Sequence, residues 1–149
     1  MKKTLLIKLT VLAICLTLTA LASCGSETKV KNYKDGTYTG RSSDFEEDES
    51  GNGAGYGEVE IEVRSNKIVS CTFKMYELDG TLKDDTYGAD LSKENRLKAQ
   101  KAVQSASKYA AMLVKAGSVD GVDTISGATI SYSEFLEAVN DALTIAVAE

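Results

Sequence analysis

Tyr56-Gly57-Glu58-Val59-Glu60-Ile61-Glu62-Val63-Arg64-Ser65-Asn66-Lys67-Ile68-Val69-Ser70-Cys71-Thr72-Phe73-Lys74-Met75-Tyr76 is the stretch that decides the fold. From Tyr56 to Arg64 the pattern alternates, with Val59, Ile61 and Val63 on one face and Glu58, Glu60, Glu62 and Arg64 on the other. A period of two with one apolar face predicts a half-buried strand of an antiparallel sheet. Ser65-Asn66 supplies a tight turn, because Asn tolerates positive φ, and Lys67 to Tyr76 returns as the hairpin partner. The alternation continued past the turn puts Cys71 on one face with Val69, Phe73 and Met75, as a small buried hydrophobe.

Upstream, a short strand is expected around Gly36 to Gly40. Arg41 to Gly53 is acidic and rich in Gly and Ser, a solvated loop. Its Asp44, Glu46, Glu47, Asp48 and Glu49 lack the alternation and the sixth-position Gly of an EF-hand loop. Downstream, Leu78 to Asp90 reads as a polar loop. From Ser92 the period becomes helical: Leu97, Val103, Ala106, Ala110 and Leu113 keep one face, and Gly117 stops the run. A second helix is expected from Ser131 to Val147, with Phe135, Leu136, Val139 and Leu143 inward. Strands first and helices afterwards predict an α+β domain: a small antiparallel sheet with helices packed on one face.

The first 23 residues read as a targeting segment. Lys2, Lys3 and Lys8 make a basic start, and Leu9 to Ala22 is apolar apart from three Thr. Leu21-Ala22-Ser23-Cys24 then places small residues ahead of a Cys, as signal-peptide cleavage requires. This ending resembles a bacterial lipobox, which implies that Cys24 carries lipid and anchors the protein to a bilayer facing the exterior or a periplasm. Residues 24–34 read as a tether and residues 35–149 as the folded domain. Without the three leader lysines, 14 basic residues stand against 22 acidic ones. A surface that acidic repels phosphate backbones, which argues against nucleic acid as a partner. The chain has no His, no Trp and no Pro. Without His, Ser-His-Asp and Cys-His machinery and every His-ligated metal site are excluded.

The chemistry-bearing stretch is Asp123-Thr124-Ile125-Ser126-Gly127-Ala128-Thr129-Ile130-Ser131. Ser126-Gly127-Ala128-Thr129 pairs hydroxyls with a flexible Gly and a minimal Ala, so something bulky can approach the backbone closely. Ser131-Tyr132-Ser133-Glu134 has the spacing of a capping box, with Ser131 capping the second helix and Glu134 reaching back. Thr129 then sits at a helix N-terminus, where free N–H groups and the dipole favour a phosphate.

Asp-x-x-Ser-Gly-Ala-Thr resembles the attachment motif of the FMN-binding domain family. Asp35-Gly36-Thr37-Tyr38-Thr39-Gly40 resembles its opening strand, Gly55 to Val63 the next, and Lys67 to Phe73 the one after. The resemblance implies FMN joined covalently, through a phosphoester, to Thr129. It also implies a separate flavin transferase that moves FMN from FAD onto the hydroxyl, since no base stands beside Thr129 in the sequence. Gly127 and Ala128 would keep the backbone open to that enzyme. Asp123 would serve either recognition by it or the shape of the turn. Tyr56, Tyr76, Tyr87 and Tyr109 are candidates to pack against the flavin rings. The function implied is a lipid-tethered electron carrier between a membrane-bound donor and an extracellular or membrane acceptor. A flavin-dependent reductase and a nonredox solute- or peptide-binding lipoprotein are the alternatives.

Overall fold

A computed structural model describes residues 32–47 and 53–147. The leader, Cys24, most of the tether, and Asp48 and Glu49 of the acidic loop lie outside the described residues. Three strands, β1 (Gly36–Arg41), β2 (Tyr56–Arg64) and β3 (Lys67–Tyr76), form one antiparallel sheet in the order β1-β2-β3. Two helices follow, α1 (Lys93–Ala116) and α2 (Thr129–Ala146), with a 3-10 turn at Val119–Gly121 between them. This is the α+β arrangement that the sequence predicts. No helix among the described residues is long and apolar enough to cross a membrane.

The hairpin forms as expected, with one change of register. Ser65 and Asn66 both adopt positive φ, 51° and 61°, which gives the twist that a two-residue hairpin turn needs. Neighbouring polar groups lock it: the Ser65 N–H donates to Asp35 Oδ1 at 2.7 Å, and the Tyr33 N–H to Asn66 Oδ1 at 2.7 Å. The pairing then slips. Val63 faces Ile68 while Glu62 faces Ser70, so Val69 is the extra residue of a bulge. An inserted residue exchanges the faces of a strand on one side of it. Ile68 is therefore buried in place of Val69, which is 43% exposed, while Phe73 and Met75 keep the inward face. Cys71 is half-buried on that face, and burial pushes its thiol pKa up to about 12.

Helix α1 is capped at its start by the Ser92 side chain, which accepts from the Asn95 N–H. It ends at Gly117, where φ is 75° and the N–H bonds the Leu113 carbonyl. Its buried residues, Ser105, Tyr109, Ala110 and Leu113, all lie in the second half. Leu97, expected inward, is 64% exposed because the helix's first turns precede the part that packs on the sheet. Helix α2 crosses β1 at Gly40, whose missing side chain makes the approach possible: a Cβ there would overlap the Ala138 carbonyl oxygen and the Ala142 N. Phe135, Val139 and Leu143 reach the core as the period predicts, and Leu136 is half-buried. The centre is aromatic: Phe135 meets Phe73 edge-on at 5.1 Å and stacks on Tyr109 at 5.6 Å.

Candidate functional site

The segment from Val122 to Thr129 is a loop between the two helices, held by one hydroxyl from each. The Tyr109 hydroxyl of α1 accepts from the Ile125 N–H at 3.0 Å and donates to the Ala128 carbonyl at 2.9 Å. The Tyr132 hydroxyl of α2 donates to the Val122 carbonyl at 2.9 Å. Between these clamps the Ala128 N–H bonds the Ile125 carbonyl at 3.0 Å, closing a turn around Ser126 and Gly127. Gly127 has φ 75°, the left-handed value that the third position of a type II turn needs. A Cβ on Gly127 would lie 2.9 Å from Lys101 Nζ, so α1 also brings an ammonium close to the turn.

The four residues Ser126 to Thr129 are thus brought together. Ser126, Gly127 and Thr129 are exposed, whereas Ala128 is buried under the turn. Asp123 is exposed earlier in the loop, and its carboxylate makes no hydrogen bond among the described residues.

The start of α2 differs from the capping box. The helix begins at Thr129; Ala128 is the cap residue and offers no side-chain bond. Ser131 and Glu134 lie within the helix and are buried. The reason is the Tyr109 bond to Ala128 and the core position of Ser131, which pull the first turn inward by two residues. Thr129 becomes the first helical residue, and the first intrahelical bond runs from the Tyr132 N–H to the Ala128 carbonyl. The preceding N–H groups have no partner in the helix ladder and no side-chain cap. An exposed hydroxyl beside uncapped donors and a nearby ammonium suits a phosphate ester.

Glu134 lies against Gly57 at the end of the sheet; a Cβ on Gly57 would meet the Glu134 Cβ at 3.1 Å. Burial raises its carboxyl pKa, opposed by the charge of Lys83. Lys83 is itself 8% exposed, and burial lowers its pKa against the pull of Glu134 and Glu77. Its ammonium approaches the Gly53 carbonyl at 3.4 Å and the Tyr87 ring at 5.1 Å. Both shifts favour the neutral form, so desolvation outweighs the mutual attraction. The sequence reading missed this buried pair, because a polar loop and a capping position both suggest exposed charges.

The four tyrosines proposed as ring partners separate. Tyr109 is fully buried as the strut of the loop. Tyr56 and Tyr76 stack on each other at 5.3 Å on the outer face of the sheet, with the Arg41 guanidinium 3.7 Å over Tyr56. Tyr87 lies beside Lys83, its backbone carbonyl accepting from Gln100 Nε2 at 2.8 Å.

The sequence model of the FMN-binding domain family matches residues 52–144, from just before the hairpin into the last turn of α2. Among solved structures, the CPE2226 protein from Clostridium perfringens superposes with a TM-score of 0.58 at 23% identity, covering 76% of this chain and 88% of its own. That likeness supports the fold. Among curated proteins none matches the chain.

Proposed function

The chain belongs to the FMN-binding domain family, and from that premise we propose that it is a lipid-tethered flavoprotein electron carrier. FMN is joined to Thr129 by a phosphoester. The observation that carries this reading is the position of Thr129: exposed, first in α2, at a helix start whose cap residue offers no side chain. A flavin transferase would join Thr129 Oγ1 to the FMN phosphorus of FAD as the pyrophosphate P–O bond breaks, so that AMP leaves and the hydroxyl proton is released. Metal ions belong to that enzyme. The product keeps one negative charge, which the open N–H groups, the helix dipole and Lys101 would favour.

When bound, the isoalloxazine accepts one or two electrons; the protein contributes position, polarity and access. Tyr109 and Tyr132 fix the loop that carries the attachment point, and Gly127 leaves it open. A covalent link keeps a cofactor that would otherwise be diluted irreversibly outside a cell. The donor is a membrane-bound protein and the acceptor an extracellular or membrane one. Lipid on Cys24 would hold the domain close to the donor and raise its effective concentration.

The full chain co-expressed with a flavin transferase should gain the mass of FMN less water on the peptide that contains Thr129. Its colour should bleach with a chemical reductant and return with a ferric chelate. Thr129→Ala should lose the added mass and change stability by less than about 0.5 kcal/mol, since an exposed hydroxyl contributes little. Label retained by that variant would refute the assignment. Cys24→Ala should move the protein from the membrane to the soluble fraction or leave an unprocessed precursor; unchanged fractionation and maturation would mean a different anchor.

A further inference from the structure

Away from the attachment loop, β3 and α1 enclose an apolar groove of about 740 Å³. Val69, Cys71 and Met75 line it from β3, and Ala106, Ala110 and Val114 from α1. The two elements run alongside for similar distances: Val69 to Met75 spans about 20 Å of strand, and Val103 to Lys115 about 18 Å of helix. Small residues, Cys71, Ala106, Ala110 and Ala111, make up much of the lining along that length. Val69 and Leu82 stand at its margins 43% and 44% exposed, which leaves apolar surface on offer at the mouth.

The charge of the lining is one-sided. Lys74, Lys83 and Lys115 border the groove, and no carboxylate does among the described residues. That is informative in a chain with 22 acidic and 17 basic residues. Lys83 turns its ammonium toward Gly53, whereas Lys115, at the opposite end, is exposed. Lys74 is exposed too, but it lies between the buried Phe73 and Met75 and so belongs to the opposite face of β3, which leaves Lys115 as the cation placed to meet a ligand in the groove.

We propose that this groove binds a long-chain fatty acid, its acyl chain lying between β3 and α1 and its carboxylate at Lys115. The lining chemistry selects this occupant over others. A peptide adding to the sheet would need the free edge of β3, but that edge carries a bulge at Val69 and the lysines Lys67 and Lys74, features that discourage strand pairing. The ring of a flavin on Thr129 is disfavoured by position. Lys101 and Tyr109 face the attachment loop, while Val103, Ala110 and Val114 line the groove on the other flank of α1. The site is thus independent of the redox reading.

The test is photo-crosslinking of the full chain in its membrane with a diazirine-bearing palmitate. Label should map to peptides 67–76 and 103–115, and palmitate should suppress it at about a fifth of the concentration that hexadecanol needs. Lys115→Glu, a fully solvated change, should cut labelling about fivefold, the scale of one exposed charge contact. Ala111→Trp at the exposed margin should block it without disturbing the core. Label spread evenly over the surface, equal competition by the alcohol, or indifference to both variants would overturn the proposal. Suppression by free FMN would also overturn it, assigning the groove to the flavin.

Discussion

Two tight turns with left-handed backbone, Ser65-Asn66 and Ser126-Gly127, are built on opposite principles. The hairpin turn is specified from within and beside itself. Asn accepts positive φ, the strands on either side alternate, and the nearest polar groups, Asp35 and the Tyr33 amide, satisfy it. The attachment turn also closes on a bond of its own, from the Ala128 N–H to the Ile125 carbonyl around Gly127, but it is held in place by two phenol hydroxyls, one delivered by each helix, and the strut Tyr109 is fully buried. A turn that closes a hairpin needs only to reverse the chain. A turn that offers one hydroxyl to a large cofactor has to hold that hydroxyl outward, and rigid helices behind it do so better than the loop could alone.

The comparison breaks most visibly at Tyr109. Tyr109→Phe keeps the ring in the core but orphans the Ile125 N–H and leaves the Ala128 carbonyl with only the Tyr132 N–H. It should cost about 2–3 kcal/mol by chemical denaturation, and the rate of flavin attachment at Thr129 should fall with it. A variant that loses stability but is flavinylated at the parent rate would show that the loop holds its own shape.

Glu134, at the inner side of the same helix start, sharpens the contrast through pH. Its folded-state pKa lies above the ordinary value, so folding takes up a proton between the two. The protein is then most stable below that window and loses stability as pH rises through it. Glu134→Gln removes the titration. The variant should gain stability over the parent as pH rises through that window, with no gain below it, read from thermal melts across the range. Parallel pH curves for the two proteins would mean that Lys83 offsets the burial cost in full.

The smallest effect belongs to the hairpin turn. Asn66→Gly retains positive φ and loses only exposed bonds to Tyr33 and Asn32. A change within about 0.5 kcal/mol is expected, with flavin attachment untouched. A large loss would make this turn as dependent on its surroundings as the other.

Alternation from Tyr56 to Arg64 and from Cys71 to Met75, the turn dipeptide, the stop at Gly117 and the spacing of Phe135, Val139 and Leu143 each report a local rule, and each is borne out. The bulge at Val69 was not legible, because Ile68 and Val69 are adjacent and both apolar, so either could take the inward place, and the register is chosen by the partner strand. The capping box failed for a related reason. Ser131 and Glu134 have the right spacing, yet Tyr109 binds Ala128 and the core takes Ser131, so α2 starts two residues early. By itself, the sequence determined the element types, their order and the motif that ends in Thr129, because periodicity and turn chemistry act over a few neighbouring residues. Only the tertiary structure decided that Thr129 would be the first helical residue and exposed, and that Lys83 and Glu134 would share a buried end of the sheet. Those outcomes depend on which distant side chains reach the same backbone groups, a competition settled when the helices pack.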